Sequence, residues 1–105
     1  MFQAHQGDVF FEEIAEITGK EQAPENGRHI LAHGEVTGHH HSVPGTRAVL
    51  FRDDALASSY SAMLDVPSGA PVEHQEHARR DLPAGKIGVI IQSTYEPEEI
   101  RTVAD

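Results

Sequence analysis

The sequence predicts an all-β domain, a small barrel or sandwich of about 6–8 short strands closed by a short C-terminal helix. Three observations carry this. Short β-branched and aromatic runs recur along the chain, Gly, Pro and Asn-Gly turn signals punctuate them, and no segment sustains a helical apolar period. Residues 1–105 fit the usual size of one compact domain, with enough chain for a modest core.

The elements follow in order. Asp8-Val9-Phe10-Phe11-Glu12-Glu13-Ile14 is short and β-prone, and Gly7 before it suits a strand entering from a turn. Thr18 to Arg28, with Gly19, Pro24 and Asn26-Gly27, is expected to be a loop ending in a tight turn. His29 to Val36 reads as the next strand, with Ile30 and Ala32 on one face and His29, Leu31 and His33 on the other. Gly38 and Pro44-Gly45 then bracket a short extended segment, His39-His40-His41. Ala48 to Arg52 and Ser59 to Val66 are strands joined by a hairpin at Asp53-Asp54, and Tyr60, Ala62, Leu64 and Val66 share a face. Pro67-Ser68-Gly69-Ala70-Pro71 is a turn cluster. Val72 to Leu82 is expected to be extended, with an irregularity near its histidines. After the turn at Pro83-Ala84-Gly85-Lys86, Ile87-Gly88-Val89-Ile90-Ile91-Gln92 is the most apolar stretch and the expected central strand. Pro97 suits the first position of a helix reaching Val103, with Glu98 and Glu99 favourable beside its N-terminal dipole.

Composition narrows the function classes. Acidic residues number 17 against 8 basic ones, for a net charge of -9, so a phosphate backbone would be repelled and no nucleic-acid partner is expected. The chain has no cysteine, which excludes disulfides, thiolate metal sites and cysteine nucleophiles and suits a cytoplasmic location. No apolar run approaches the roughly 20 residues of a membrane span, and the first residues lack the pattern of a signal peptide.

The chemistry-bearing residues are histidines. Residues two apart on a strand point to one face, so His39 and His41 can present both imidazoles to one ion while His40 points away. His74 and His77, in His74-Gln75-Glu76-His77, stand three apart. They reach a common ion only if a bulge or turn lies between them; a strictly extended chain would instead pair His74 with Glu76. The expected site is therefore either four histidines around a bulge or three completed by Glu76. Imidazole and carboxylate donors suit a divalent transition metal, whether zinc, nickel, copper or iron. Glu76 and Glu35 are candidate catalytic bases, and Glu35 and Glu73 flank the two histidine elements as candidate partners for an imidazole. His5, His29 and His33 read as ordinary surface histidines, and most of the acidic charge as a solvated face.

Taken in order, Gln6-Gly7-Asp8-Val9, Gly34-Glu35-Val36-Thr37-Gly38-His39-His40-His41, His74 to His77, Gln92 with Tyr95 and the closing Val103-Ala104-Asp105 resemble a family of short, uncharacterised bacterial and phage proteins. The resemblance spans nearly the whole chain. It implies His39, His41, His74 and His77 as the shared positions and His40 as a local addition. A weaker likeness is to cupins, small metal-binding barrels, through His39-x-His41 and Leu82-Pro83-Ala84-Gly85. The glutamate that cupins place after the histidine pair is missing, because Ser42 to Phe51 contains no acid.

The expected function is metal binding; if the domain is an enzyme, the expected chemistry is a metal-activated water acting on a small molecule. A rival is a self-assembling or interaction protein whose histidines line a subunit interface, and a homo-oligomer is expected on either account. A third, metal-independent acid–base chemistry by paired histidines, would survive chelation.

Overall fold

The computed structural model describes residues 1–33, 38–56 and 59–92. It is all-β. Ten strands form among these residues: β1 (Gln3–Gln6), β2 (Val9–Glu13), β3 (Lys20–Gln22), β4 (Arg28–His33), β5 (His40–Pro44), β6 (Val49–Arg52), β7 (Ala62–Val66), β8 (Ala70–Val72), β9 (Arg80–Leu82) and β10 (Gly85–Ile91). They make a six-stranded sheet in the order β1-β2-β10-β7-β6-β3 and two hairpins, β4-β5 and β8-β9. Every pairing is antiparallel. The sheets are open, so among the described residues the expected barrel does not close, and no ring of strands like a cupin's forms. The expected C-terminal helix from Pro97 to Val103 lies outside the described residues.

The apolar stretch from Ile87 is the central strand, as its β-branched content demands. β10 pairs with β2 on one side and β7 on the other, and Ile87 and Val89 are wholly buried. Phe11 on β2 is also wholly buried, worth about 1.5–3 kcal/mol by apolar transfer. The two hairpins add Leu31, Val43, Val72 and Leu82 to the same hydrophobic cluster, so the three sheets share one core. The β4-β5 and β8-β9 hairpins are stitched together by reciprocal backbone bonds between Ser42 and Glu73, at 3.0 and 2.9 Å.

Several expectations are corrected. The Gln3–Gln6 strand precedes the first predicted one; Gly7 and Asp8 make the turn between β1 and β2, with Gly7 alone of the two at positive φ, as a type II′ hairpin requires. The predicted loop from Thr18 holds edge strand β3 before its tight turn at Asn26-Gly27, where both residues take positive φ. Val72 to Leu82 is not one extended segment. It is the second half of a hairpin whose loop carries the histidines, and Pro71, expected in a turn, lies in β8. The link after β6 is longer than the hairpin predicted at Asp53-Asp54 and includes a short 3-10 turn at Asp54–Leu56.

Candidate functional site

The site is built where three turns of chain meet. The β1-β2 turn brings Gly7 and Asp8, with Gln6 behind them; β5 and the residue before it bring His41 and His39; the β8-β9 loop brings His74, Glu76 and His77. All of these but Gln6, together with His33 and Ile91, line a cleft of about 310 Å³. Alternation along β5 does what the sequence predicts: His39 and His41 line this cleft, whereas His40 lies against His33 across the hairpin, with ring centroids 6.5 Å apart. The chain bends between His74 and His77, so the turn required for their convergence is present and the strictly extended alternative is not.

The four rings are gathered. His74 is close to both His41 and His77, with centroids 4.4 and 4.6 Å away, while His41 and His77 are 5.8 Å apart and nearly parallel. His39 meets His74 edge-on at 5.7 Å. Its Nδ1 is buried without a hydrogen-bond partner, and Glu76 Oε1 is 3.6 Å away. Among the described residues, however, no group of three or more His, Cys, Asp or Glu side chains is placed so that it could hold a metal ion as the rings stand.

Gln6 is the residue that the sequence reading left without a role. It is 2 % exposed, and its amide nitrogen donates to the Val72 carbonyl at 3.0 Å and the Ala78 carbonyl at 2.9 Å. Carbonyls only accept, so these two bonds fix the amide's orientation and turn Oε1 toward His41 Nδ1, 2.7 Å away. Oε1 only accepts as well. His41 must therefore carry its proton on Nδ1, which leaves Nε2 with a free lone pair. Gln6 thus ties the strand carrying His41 to both ends of the loop carrying His74 and His77. Burial pushes the His41 imidazole down to about 4, and the adjacent His74 and His77 add to the shift, so the ring is neutral near pH 7.

His74 has the opposite tautomer. Its Nδ1 accepts the backbone N–H of Glu76 at 3.0 Å and of His77 at 3.3 Å, so a neutral ring carries its proton on Nε2. Burial and the neighbouring histidines His77 and His39 lower its pKa, which keeps that neutral form. Gly7 matters for His77: a Cβ there would sit 2.7 Å from His77 Nε2, so only glycine lets the ring pack over the turn.

Of the candidate carboxylates among the described residues, Glu76 lines the cleft and Glu73 does not. Glu73 turns from the cleft to pair with Arg28 at 2.8 Å, and Arg28 also donates to Ser42 Oγ at 2.9 Å. Glu76 lies beside His39 on an exposed side chain, and Glu35 lies outside the described residues. His29, expected at the surface, is 4 % exposed and its Nε2–H donates to the Ala48 carbonyl at 3.1 Å, pinning β4 to the segment before β6. Asp8, at the cleft wall, had no sequence signal beyond its place after Gly7.

No helix among the described residues is long and apolar enough to cross a membrane. Among curated proteins and among solved structures, nothing matches the chain. A family model does match, over residues 5–92, a segment that holds Gln6 and all four histidines of the cleft. The chain therefore belongs to the family described as Domain of unknown function (DUF8820).

Proposed function

We propose that the cleft binds a divalent transition metal ion, with His41, His39 and His77 as ligands and Glu76 able to complete the set. The observation that carries this is the gathering of four imidazoles from two separate segments: His74 lies 4.4, 4.6 and 5.7 Å by ring centroid from His41, His77 and His39, and His41 and His77 are 5.8 Å apart. Rings bound tetrahedrally at metal–nitrogen distances of about 2.0–2.1 Å have centroids about 5 Å apart, near the His41–His77 separation. The Gln6 bond to His41 Nδ1 is the kind of contact that holds a metal-ligating imidazole in its tautomer.

Three protein ligands leave an open coordination position, which favours chemistry on a small molecule over a closed structural site. When bound, the ion would acidify a coordinated water. Glu76, exposed beside His39, would be the base of such a site.

Elemental analysis of protein purified without a histidine tag, followed by calorimetric titration with zinc, tests the reading. About one ion per chain is expected, with His41→Ala and His77→Ala each abolishing it. Uptake unaffected by both substitutions would refute a shared site.

A further inference from the structure

The histidines are only part of the cleft's chemistry. Asp8 and Glu76 stand on its walls, and among the described residues no Lys or Arg lines it. Asp8 takes part in none of the ion pairs formed by those residues, and its charge is near enough to the His41 ring to favour the ring's protonated form. An anion entering this space would meet two carboxylates with no cation beside them, whereas a positive group would be drawn in. His41 narrows the class further. The residue is 4 % exposed, and its Nδ1 edge is turned toward Gln6, which does not line the cleft. Gln6 Oε1 takes the Nδ1–H at 2.7 Å, so the lone pair lies on Nε2, on the other side of a ring that does line the cleft. Nε2 finds no hydrogen-bond partner among the described residues. A buried acceptor without a donor is costly, so the fitting occupant is a donor.

We propose that the cleft binds a small primary amine, whose ammonium group donates to His41 Nε2 between the Asp8 and Glu76 carboxylates and whose short apolar body covers Ile91. The assignment goes beyond the metal reading and needs no metal; an ammonium takes the lone pair that a metal ion would take, so the two are alternative occupants. An alkyl amine, with a pKa near the roughly 10.4 of lysine, is charged at neutral pH. It brings three N–H donors to one imidazole lone pair and two carboxylates. Val9, Ala32 and Ile91 give the cleft an apolar lining, and Ile91 is 45 % exposed, a large aliphatic side chain that an apolar ligand would shield. A volume of about 310 Å³ stands at the small end of ligand pockets and matches a molecule of few atoms.

The test titrates the full, metal-free chain with n-butylammonium and follows the histidine rings by nitrogen-15 NMR. Butylammonium should move the His41 Nε2 resonance and saturate. n-Butyrate, of similar length and opposite charge, should leave it unmoved. Methylammonium, which lacks the methylenes that cover Ile91, should bind about tenfold more weakly. Asp8→Asn keeps a residue suited to the turn while removing the charge, and should weaken butylammonium about tenfold, the loss expected of one charge-assisted hydrogen bond. Nα-acetyl-lysine amide carries the same ammonium on a peptide backbone, and it should bind more weakly than butylammonium.

Butyrate bound as tightly as butylammonium would overturn the inference, and so would an unmoved His41 resonance or an unchanged affinity in Asp8→Asn. Tighter binding of the capped lysine would assign the ammonium to a lysine of a protein and overturn the small-molecule source. Zinc uptake, measured separately on the same protein, keeps the two readings apart. Amine binding without zinc uptake removes the metal reading alone, and zinc uptake without amine binding removes this inference alone.

Discussion

Replacing Gln6 with leucine keeps the shape of the side chain and deletes three hydrogen bonds at one stroke. Two of the partners left behind, the Val72 carbonyl and the His41 Nδ1–H, belong to residues that are 0 % and 4 % exposed. The third, the carbonyl of exposed Ala78, regains water. Stranding a buried polar group costs about 1–3 kcal/mol, and leucine recovers part of that through apolar burial, so a net loss of about 2–4 kcal/mol is expected. With unfolding free energies of about 5–15 kcal/mol for domains of this kind, the variant should still fold. Its melting temperature should fall by about 10–20 °C. Without Oε1 the His41 ring is free to change tautomer and rotate, and zinc affinity should fall about 10–100-fold, the usual effect of losing a residue that orients a ligand. Urea unfolding and calorimetric zinc titration measure the two effects separately. A stability change below about 0.5 kcal/mol would show that the bonds to Gln6 have no net value in the fold. An unchanged zinc affinity, with stability lowered as expected, would refute the claim that Gln6 positions a metal ligand.

Three further outcomes are expected. His41 is pushed down to about 4 in the folded chain from an ordinary 6.5, so the unfolded state binds the proton more readily. Its contribution is therefore intact above about pH 6.5 and lost as pH falls toward 4, removing about 3 kcal/mol at most, and metal-free His41→Gln should show a correspondingly flatter stability profile in urea. Gly7→Ala puts a methyl against His77 Nε2 at a φ of 57°, so it should cost about 1–2 kcal/mol in backbone strain and weaken zinc binding by displacing His77; wild-type affinity in this variant would remove His77 from the site. Gly88→Ala collides with the Tyr60 ring, which also donates to Glu12 at 2.6 Å, and should destabilise by about 1–3 kcal/mol with zinc affinity unchanged, a control for damage to the sheet alone.

What could be read from the chain alone is what depends on near neighbours. Strand character at Ile87 to Ile91 follows from β-branched side chains in succession, and the common face of His39 and His41 follows from the two-residue period of a strand. The need for a turn between His74 and His77 follows from the same geometry. By contrast, the short β1 and β3 have little apolar signal of their own, since edge strands are stabilised by pairing with β2 and β6. His29 looked like any surface histidine because its burial comes from Ala48, far along the chain, accepting its N–H.

The amino-acid order determined that the chain is β-rich and acidic, and that its metal-capable side chains are imidazoles in two short clusters, because those properties are local or additive. Tertiary structure alone decided that the two clusters meet, since β5 and the β8-β9 hairpin are joined through Ser42 and Glu73. It also decided that Gln6, from the opposite end of the chain, holds the proton of His41 in place, and that the N–H groups of the bent loop hold the His74 proton on the other nitrogen. A tautomer is set by whichever donor or acceptor lies about 3 Å away, and only folding brings that partner there.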